Sequence, residues 1–181
     1  MKVCVHLADG FEEVEAVSVI DILRRAEIQV ETVSIMGKKE VVGAHHIVVL
    51  ADSLFENVDY KDVDMIILPG GGLGTKNLGE HLALHEQILK HAQAGKWIAA
   101  ICAAPTVLGK LGLLEGKRAT CYPGCESELR GAEVTKASVV LDGKIITSRG
   151  IGTTFDFALK IVEIFQGVEK VAVLKEQMVI A

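Results

Sequence analysis

Apolar runs of strand length alternate along this chain with segments whose apolar positions recur at helical spacing. Lys2–Ala8 is a short apolar run closed by the turn signal Asp9-Gly10. Ala16, Val19, Ile20, Leu23 and Ala26 then fall at i, i+3, i+4, i+7 and i+10, one stripe of an α-helix. Gln29–Ile35 alternates as a second strand, Met36–Lys39 reads as a turn, and Glu40–Leu50 as short extra strands. Asp64–Leu68 has the continuous apolarity of a buried central strand, ended by Pro69 and the glycines behind it. Leu82–Ala94 is helical with Ile88, Leu89 and Ala92 on its apolar side, Trp97–Ile101 is another buried strand, and Pro105–Leu113 a short helix. Val139–Leu141 and Lys144–Thr147 flank Asp142-Gly143, which predicts a hairpin with a type I′ turn. Thr154 is placed as the cap of a last long helix in which Ala158, Ile161, Val162 and Phe165 share a face, and Val171–Leu174 as an edge strand or closing segment.

This alternation predicts an α/β fold, a mostly parallel sheet with helices on both faces and a small hairpin at its end. No internal repeat, low-complexity stretch or linker divides residues 1–181, so one domain is expected. In open sheets of this kind the chemistry sits beyond the carboxyl ends of the strands. Three segments qualify: Asp9–Glu13, Pro69–Gly79 and the turn at Cys102.

Composition narrows the classes. Half of the 181 residues are apolar and 24% are charged, the balance of a well-packed protein. A net charge of −5, with no basic stripe interleaved with aromatics, argues against nucleic acid as a partner. The longest apolar runs, such as Met65–Leu68 and Ile98–Ala104, are too short to span a bilayer, so no membrane partner is expected. Met1-Lys2 leads straight into a strand with no apolar leader, which makes the cytoplasm the expected compartment. Cys4, Cys102, Cys121 and Cys125 are then expected as thiols, and without paired C-x-x-C motifs no metal site is expected.

The strongest chemical signal is Ala100-Ile101-Cys102-Ala103-Ala104-Pro105. A nucleophile elbow sets its reactive residue on a tight strand-to-helix turn and needs small residues two positions to either side, here Ala100 and Ala104. Pro105 suits the first turn of a helix, whose free N–H groups and positive dipole end favour thiolate over thiol. The competing reading is a small core cysteine in an apolar run. In Gly10-Phe11-Glu12-Glu13-Val14-Glu15, Glu12 and Glu13 read as dipole neighbours. Glu15 lies one turn into the helix, where a protonated carboxyl can face the elbow and donate to its sulfur.

The glycines of Leu68-Pro69-Gly70-Gly71-Gly72-Leu73-Gly74 satisfy neither G-x-G-x-x-G nor G-x-x-x-x-G-K-[ST], so no nucleotide cofactor is expected. Their remaining roles are a tight turn and exposed N–H groups for an oxyanion; Gly71 and Ala103, the residue after the cysteine, are the candidate donors. His81, His85 and His91 lack H-E-x-x-H and read as solvated surface residues. Cys121-Tyr122-Pro123-Gly124-Cys125 reads as a loop, with a local disulfide or capture of an oxidised Cys102 as the alternatives.

Taken together, Ala8–Glu15, Leu68–Gly71, Ala99–Pro105 and Thr147-Ser148-Arg149-Gly150-Ile151-Gly152-Thr153 resemble the ThiJ/PfpI family, and within it the parkinsonism-associated deglycase subgroup. The resemblance covers nearly the whole chain. It implies a flavodoxin-like three-layer sandwich and a homodimer, with Asp21–Ala26 similar to the helix that takes part in it. It also implies an oxidation-sensitive nucleophile at Cys102, Glu15 as the carboxylic acid on its sulfur, and an oxyanion pocket lined by the Gly71 and Ala103 N–H groups. The function implied is cofactor-free action on a small reactive carbonyl substrate, a dicarbonyl or its adduct, in a glyoxalase- or deglycase-like stress protein. The alternative is a redox sensor or chaperone-like binding protein without turnover. The family often has a histidine where Tyr122 stands, and a phenol is too weak an acid to replace imidazole as a base near neutrality. Cysteine peptidase and glutamine amidotransferase chemistry are correspondingly disfavoured, and Tyr122 is left as a pocket residue.

Overall fold

The computed structural model describes residues 1–180. Its frame is a seven-stranded sheet in the order β10-β11-β7-β6-β1-β2-β5. The strands are β1 (Lys2–Leu7), β2 (Gln29–Ser34), β5 (Ser53–Leu54), β6 (Met65–Leu68), β7 (Trp97–Ile101), β10 (Val139–Asp142) and β11 (Ile145–Ser148). All neighbours run parallel except β10 against β11. Two small ribbons lie outside it: β3 (Glu40–Val42) with β4 (Val48–Leu50), and β8 (Arg118–Ala119) with β9 (Glu133–Val134). The helices are α1 (Glu13–Arg25), α2 (Gly72–Glu80), α3 (Leu82–Gln93), α4 (Pro105–Lys110), α5 (Thr154–Gln166) and α6 (Val168–Gln177).

The alternation within β1 explains the three layers. Val3, Val5 and Leu7 point to one side, where the turn before α1 brings Phe11 and α1 and α5 bring Leu23, Phe157 and Ile161. Cys4 and Ala8 point to the other, where α2, α3 and α4 supply Leu78, Leu84, Ile88, Val107 and Leu108. Because both faces are covered, β6 reads Met-Ile-Ile-Leu with all four residues buried, the pattern of a doubly covered parallel strand. Each large aliphatic or aromatic side chain so enclosed contributes about 1.5–3 kcal/mol by leaving water. This mostly parallel sheet between helical layers is the flavodoxin-like sandwich expected. No helix among the described residues is long and apolar enough to cross a membrane.

Several expectations shift. The hairpin loop is Gly143-Lys144 rather than Asp142-Gly143, since Asp142 pairs with Ile145. Gly143 has φ +59 and Lys144 is not left-handed, so a type II′ turn replaces the type I′. Pro69–Gly79 is mostly helix: α2 starts at Gly72 in spite of its glycines. The short helix after Pro105 stops at Lys110, and the last long helix begins at Thr154 itself, with Thr153 at the N-cap position and its side chain making no capping hydrogen bond. Val171–Leu174 lies inside α6, which Gly167 at φ +84 separates from α5.

Burial of His6 has a consequence for acid stability. Its ring lies in β1 with no exposure, stacked on Tyr60, and Nε2 shares a hydrogen bond of 2.7 Å with the Tyr60 hydroxyl. Burial lowers its pKa to about 3. The unfolded chain takes up this proton near pH 6.5, whereas the folded one resists until about 3, so stability is full above 6.5 and lost as pH falls through that window. Relative to a His6→Gln variant, the chain is expected to lose about 1.4 kcal/mol per pH unit below 6.5. Urea titrations at several pH values measure this, and parallel stability curves for the two proteins would contradict it.

Candidate active site

β1, β6 and β7 are neighbours in the sheet, so the segments leaving their carboxyl ends meet at one edge. After β1 the chain turns at Gly10, φ +83, with the Phe11 N–H donating to the Ala8 carbonyl at 3.0 Å. This turn brings α1 against Gly70. The Glu12 N–H donates to the Gly70 carbonyl at 3.0 Å, and the Gly70 N–H donates to Glu15 Oε2 at 2.9 Å. A Cβ on Gly70 would lie 2.5 Å from both Cys102 Cβ and Glu15 Oε2. Gly71 has φ +93, and a Cβ there would sit 2.7 Å from the Glu12 nitrogen. The glycine run is thus a demand for close backbone approach to the α1 turn.

After β7, Cys102 itself adopts φ +65, a conformation L side chains rarely take and one that costs of order 1–3 kcal/mol. Three hydrogen bonds fix it there. Its N–H donates to Ser148 at 3.0 Å, its carbonyl accepts from the Tyr122 N–H at 2.8 Å, and the Ala104 N–H closes the turn on Ile101 at 3.1 Å. Pro105 occupies the first turn of α4, as read from the sequence.

The sulfur is where these segments converge. Glu15 Oε2, held by the Gly70 N–H, faces the Cys102 side chain over Gly70, where a Cβ would lie 2.5 Å from that oxygen and 3.0 Å from the sulfur, and the Gly71 and Ala103 N–H groups lie beside the sulfur. Glu15 has no exposed surface, and its second oxygen, Oε1, has no partner among the described residues. Burial raises the Glu15 pKa to about 7, against the pull of the hydrogen bonds from Cys102 and Gly70. Burial likewise lifts the Cys102 thiol to about 12, with the Glu15 carboxylate adding to it and the two amides opposing. A helix terminus alone favours an acidic thiol; here desolvation and the facing carboxylate outweigh the amides. The pair holds a proton between them, and an acidic sulfur requires that Glu15 carry it.

Cys102 and Glu15 open onto a cavity of about 660 Å³ whose walls include Glu12, Tyr122, Cys125 and Arg149. Tyr122 is half exposed and stands beside Gly150, where a Cβ would be 3.4 Å from its ring. Glu12 and Arg149 are wall residues the sequence reading gave no site role, although Arg149 lies in the Thr147–Thr153 motif. Glu13 does more than sit near a dipole: its Oε1 accepts from the His45 N–H at 2.6 Å and its Oε2 lies 2.9 Å from the His45 ring. Glu12, Glu13 and His45 bring potential ligand atoms within 4.8 Å of one another, but the amides of the β3–β4 loop already occupy Glu13 Oε1. The cluster is a clamp holding that loop to α1.

The other histidines are not solvated in the way expected. His81 caps α3 by accepting from the Leu84 N–H at 3.0 Å, His85 donates to the Leu78 carbonyl at 3.1 Å, and His91 is buried. Each is used up by packing or capping, and no histidine lines the cavity among the described residues.

Residues 1–164 match the DJ-1/PfpI family. The chain is 39% identical to Protein dj-1beta of Drosophila melanogaster over 98% of its length and 96% of that protein's. The crystal structure of that protein superposes with a TM-score of 0.95, covering 99% of this chain and 98% of its own, at 38% identity. A 34% identity over 94% of the chain and 91% of the relative links it to a Caenorhabditis elegans protein named glutathione-independent glyoxalase DJR-1.2. Protein DJ-1 homolog B of Arabidopsis thaliana is 40% identical over 93% of the chain, which spans only 39% of that longer protein. With the fold, the glycine-lined elbow and these matches in agreement, the chain belongs to the DJ-1/PfpI family.

Proposed function

We propose that this protein is a cysteine-dependent, cofactor-free enzyme that converts reactive dicarbonyls or their adducts, in the manner of a glyoxalase or deglycase. One observation carries the reading: a buried carboxyl and two backbone N–H groups meet at a single sulfur on the edge of a cavity. The name of the Caenorhabditis elegans relative supports the substrate class.

For methylglyoxal the steps follow from the groups present. Glu15 accepts the thiol proton, and the Cys102 sulfur bonds to the aldehyde carbon. The N–H groups of Gly71 and Ala103 hold the developing oxyanion, which takes up the proton to give a hemithioacetal. Glu15, again a carboxylate, removes the hydrogen from the former aldehyde carbon and returns it at the neighbouring one, leaving a thioester. Water cleaves the thioester to lactate and restores the thiol. The balance is one water added to one dicarbonyl, so no cofactor or second thiol enters. Tyr122 serves as wall rather than base.

Redox sensing is the second reading, favoured by the same donors. A sulfinate on Cys102 finds a protonated Glu15 and two amides to receive its oxygens. Val14 and Val17 on α1, with Ile47, Val48 and Leu50 on the adjoining hairpin, are exposed, an apolar face suited to a second copy of the chain; a cytoplasmic homodimer is part of the proposal. Lactate formation from methylglyoxal in the absence of glutathione tests the enzymatic reading. A rate no greater than that of buffer would overturn it in favour of the sensor.

A further inference from the structure

We infer that Cys125 is a resolving thiol that converts peroxide-oxidised Cys102 into a disulfide before the sulfur is oxidised further. The inference rests on the reading of Cys102 as oxidation-sensitive.

Of the three remaining thiols, Cys4 has no exposure and Cys121 only 2%, and both pack into the core on the α3 side of the sheet. Cys125 alone joins Cys102 in lining the cavity. Its placement is tied to the nucleophile's own backbone. The Tyr122 N–H donates to the Cys102 carbonyl at 2.8 Å, and the Cys125 N–H closes a turn on the Tyr122 carbonyl at 3.0 Å. Gly124, φ +95, is the third residue of that turn, and Tyr122, Pro123 and Gly124 are all exposed. Cys125 is therefore carried on a short exposed turn whose first residue hangs from Cys102. Disulfide formation needs the two Cα atoms within about 7 Å, and this turn, with Gly124 at φ +95 inside it and residues 122–124 exposed, has no packing on its solvent side to hold Cys125 away.

The chemistry balances with a hydroperoxide as oxidant. The Cys102 sulfur takes one oxygen from it, giving sulfenic acid and releasing an alcohol, or water when the oxidant is hydrogen peroxide. The Cys125 sulfur then attacks the Cys102 sulfur, the S–S bond forms, and the sulfenic oxygen leaves as water with the Cys125 proton. A second peroxide acting first gives sulfinate instead. Which product prevails is decided by the presence of the second thiol.

The test is limited hydrogen peroxide treatment of the whole protein, alkylation of free thiols, and non-reducing peptide mapping. The wild type is expected to yield a peptide pair joined through Cys102 and Cys125, and dithiothreitol to return both thiols. Cys125→Ser and Cys125→Ala are expected to lose the cross-link and to accumulate Cys102 sulfinate faster, by on the order of ten-fold. Sulfinate forming at the same rate in all three proteins, or a cross-link joining Cys121 to Cys125, would overturn the resolving role and leave an oxidisable Cys102 in place. A Cys102 that stays a thiol in every protein would overturn the oxidation-sensitive reading along with it.

Discussion

Cys102→Ala is expected to lower kcat/KM for methylglyoxal on the order of 10³-fold or more, to the level of whatever the cavity and its amides achieve without a covalent step. The change removes one atom. The backbone hydrogen bonds that hold residue 102 at φ +65 come from its N–H and carbonyl, so the alanine variant is expected to keep the turn and the fold. Cys102→Gly separates strain from chemistry. Glycine adopts positive φ freely, so this variant is expected to gain of order 1 kcal/mol of stability while remaining as inactive as alanine. Activity and stability thus move in opposite directions at one residue, the signature of strain kept for function. Rates of lactate formation and urea midpoints check both halves. A Cys102→Ala protein with turnover near that of the wild type would remove the nucleophile from the mechanism.

The parts of this arrangement legible in the sequence are those with a local cause. The stripe from Ala16 to Ala26 and the continuous apolar runs of β6 and β7 announce their burial through spacing alone. Cys102 was legible because crowding at an elbow demands Ala100 and Ala104. The Gly70-Gly71-Gly72 run is legible as a tight turn with exposed N–H groups that excludes a nucleotide loop, but the close approach it serves is not. Its reason lies across the sheet, in the turn of Gly10 to Glu12 that packs onto it, and a non-local approach leaves no spacing to read. Glu13 looked like an ordinary first-turn acid because its partner, His45, is 32 residues away. The surface reading of His81, His85 and His91 failed for a related cause: helical periodicity marks which face is apolar, but says nothing about polar atoms that cap, bridge turns or are enclosed by a neighbouring loop. Most telling is the thiol. Proximity to a helix start suggests an acidic sulfur, whereas burial raises its pKa first and the carboxyl facing it from α1 raises it further, and local sequence could nominate that residue but not place it.

Glu15→Gln is expected to produce the second large effect, an activity loss of about 10²–10⁴-fold accompanied by a gain in stability. In the wild type the productive state of the pair holds one proton, and the doubly protonated state has no base to accept the thiol proton. With Glu15 at about 7, kcat/KM is expected to rise with pH and reach half its plateau near there. Glutamine keeps an oxygen for the Gly70 N–H but accepts no proton. The limb near 7 is then expected to vanish, the remaining activity following ionisation of the thiol alone, which burial holds above its ordinary value. Stability responds with a fixed sign. The folded-state pKa of Glu15 is raised, so between the unfolded value near 4.3 and about 7 the folded chain binds the extra proton, and stability falls as pH rises through that window. Above 7 the full cost of ionising a buried carboxyl is present, roughly 3–4 kcal/mol, and the glutamine variant escapes it. His6 runs the other way across an overlapping range, so the wild type is expected to vary little between pH 4.5 and 6.5, while removing either group uncovers the slope of the other. Denaturant titrations of wild type, Glu15→Gln and His6→Gln over pH 4–8 resolve the two slopes. A glutamine variant that retains the limb near pH 7, or is less stable than wild type at pH 8, would show that Glu15 is not the group sharing its proton with the sulfur.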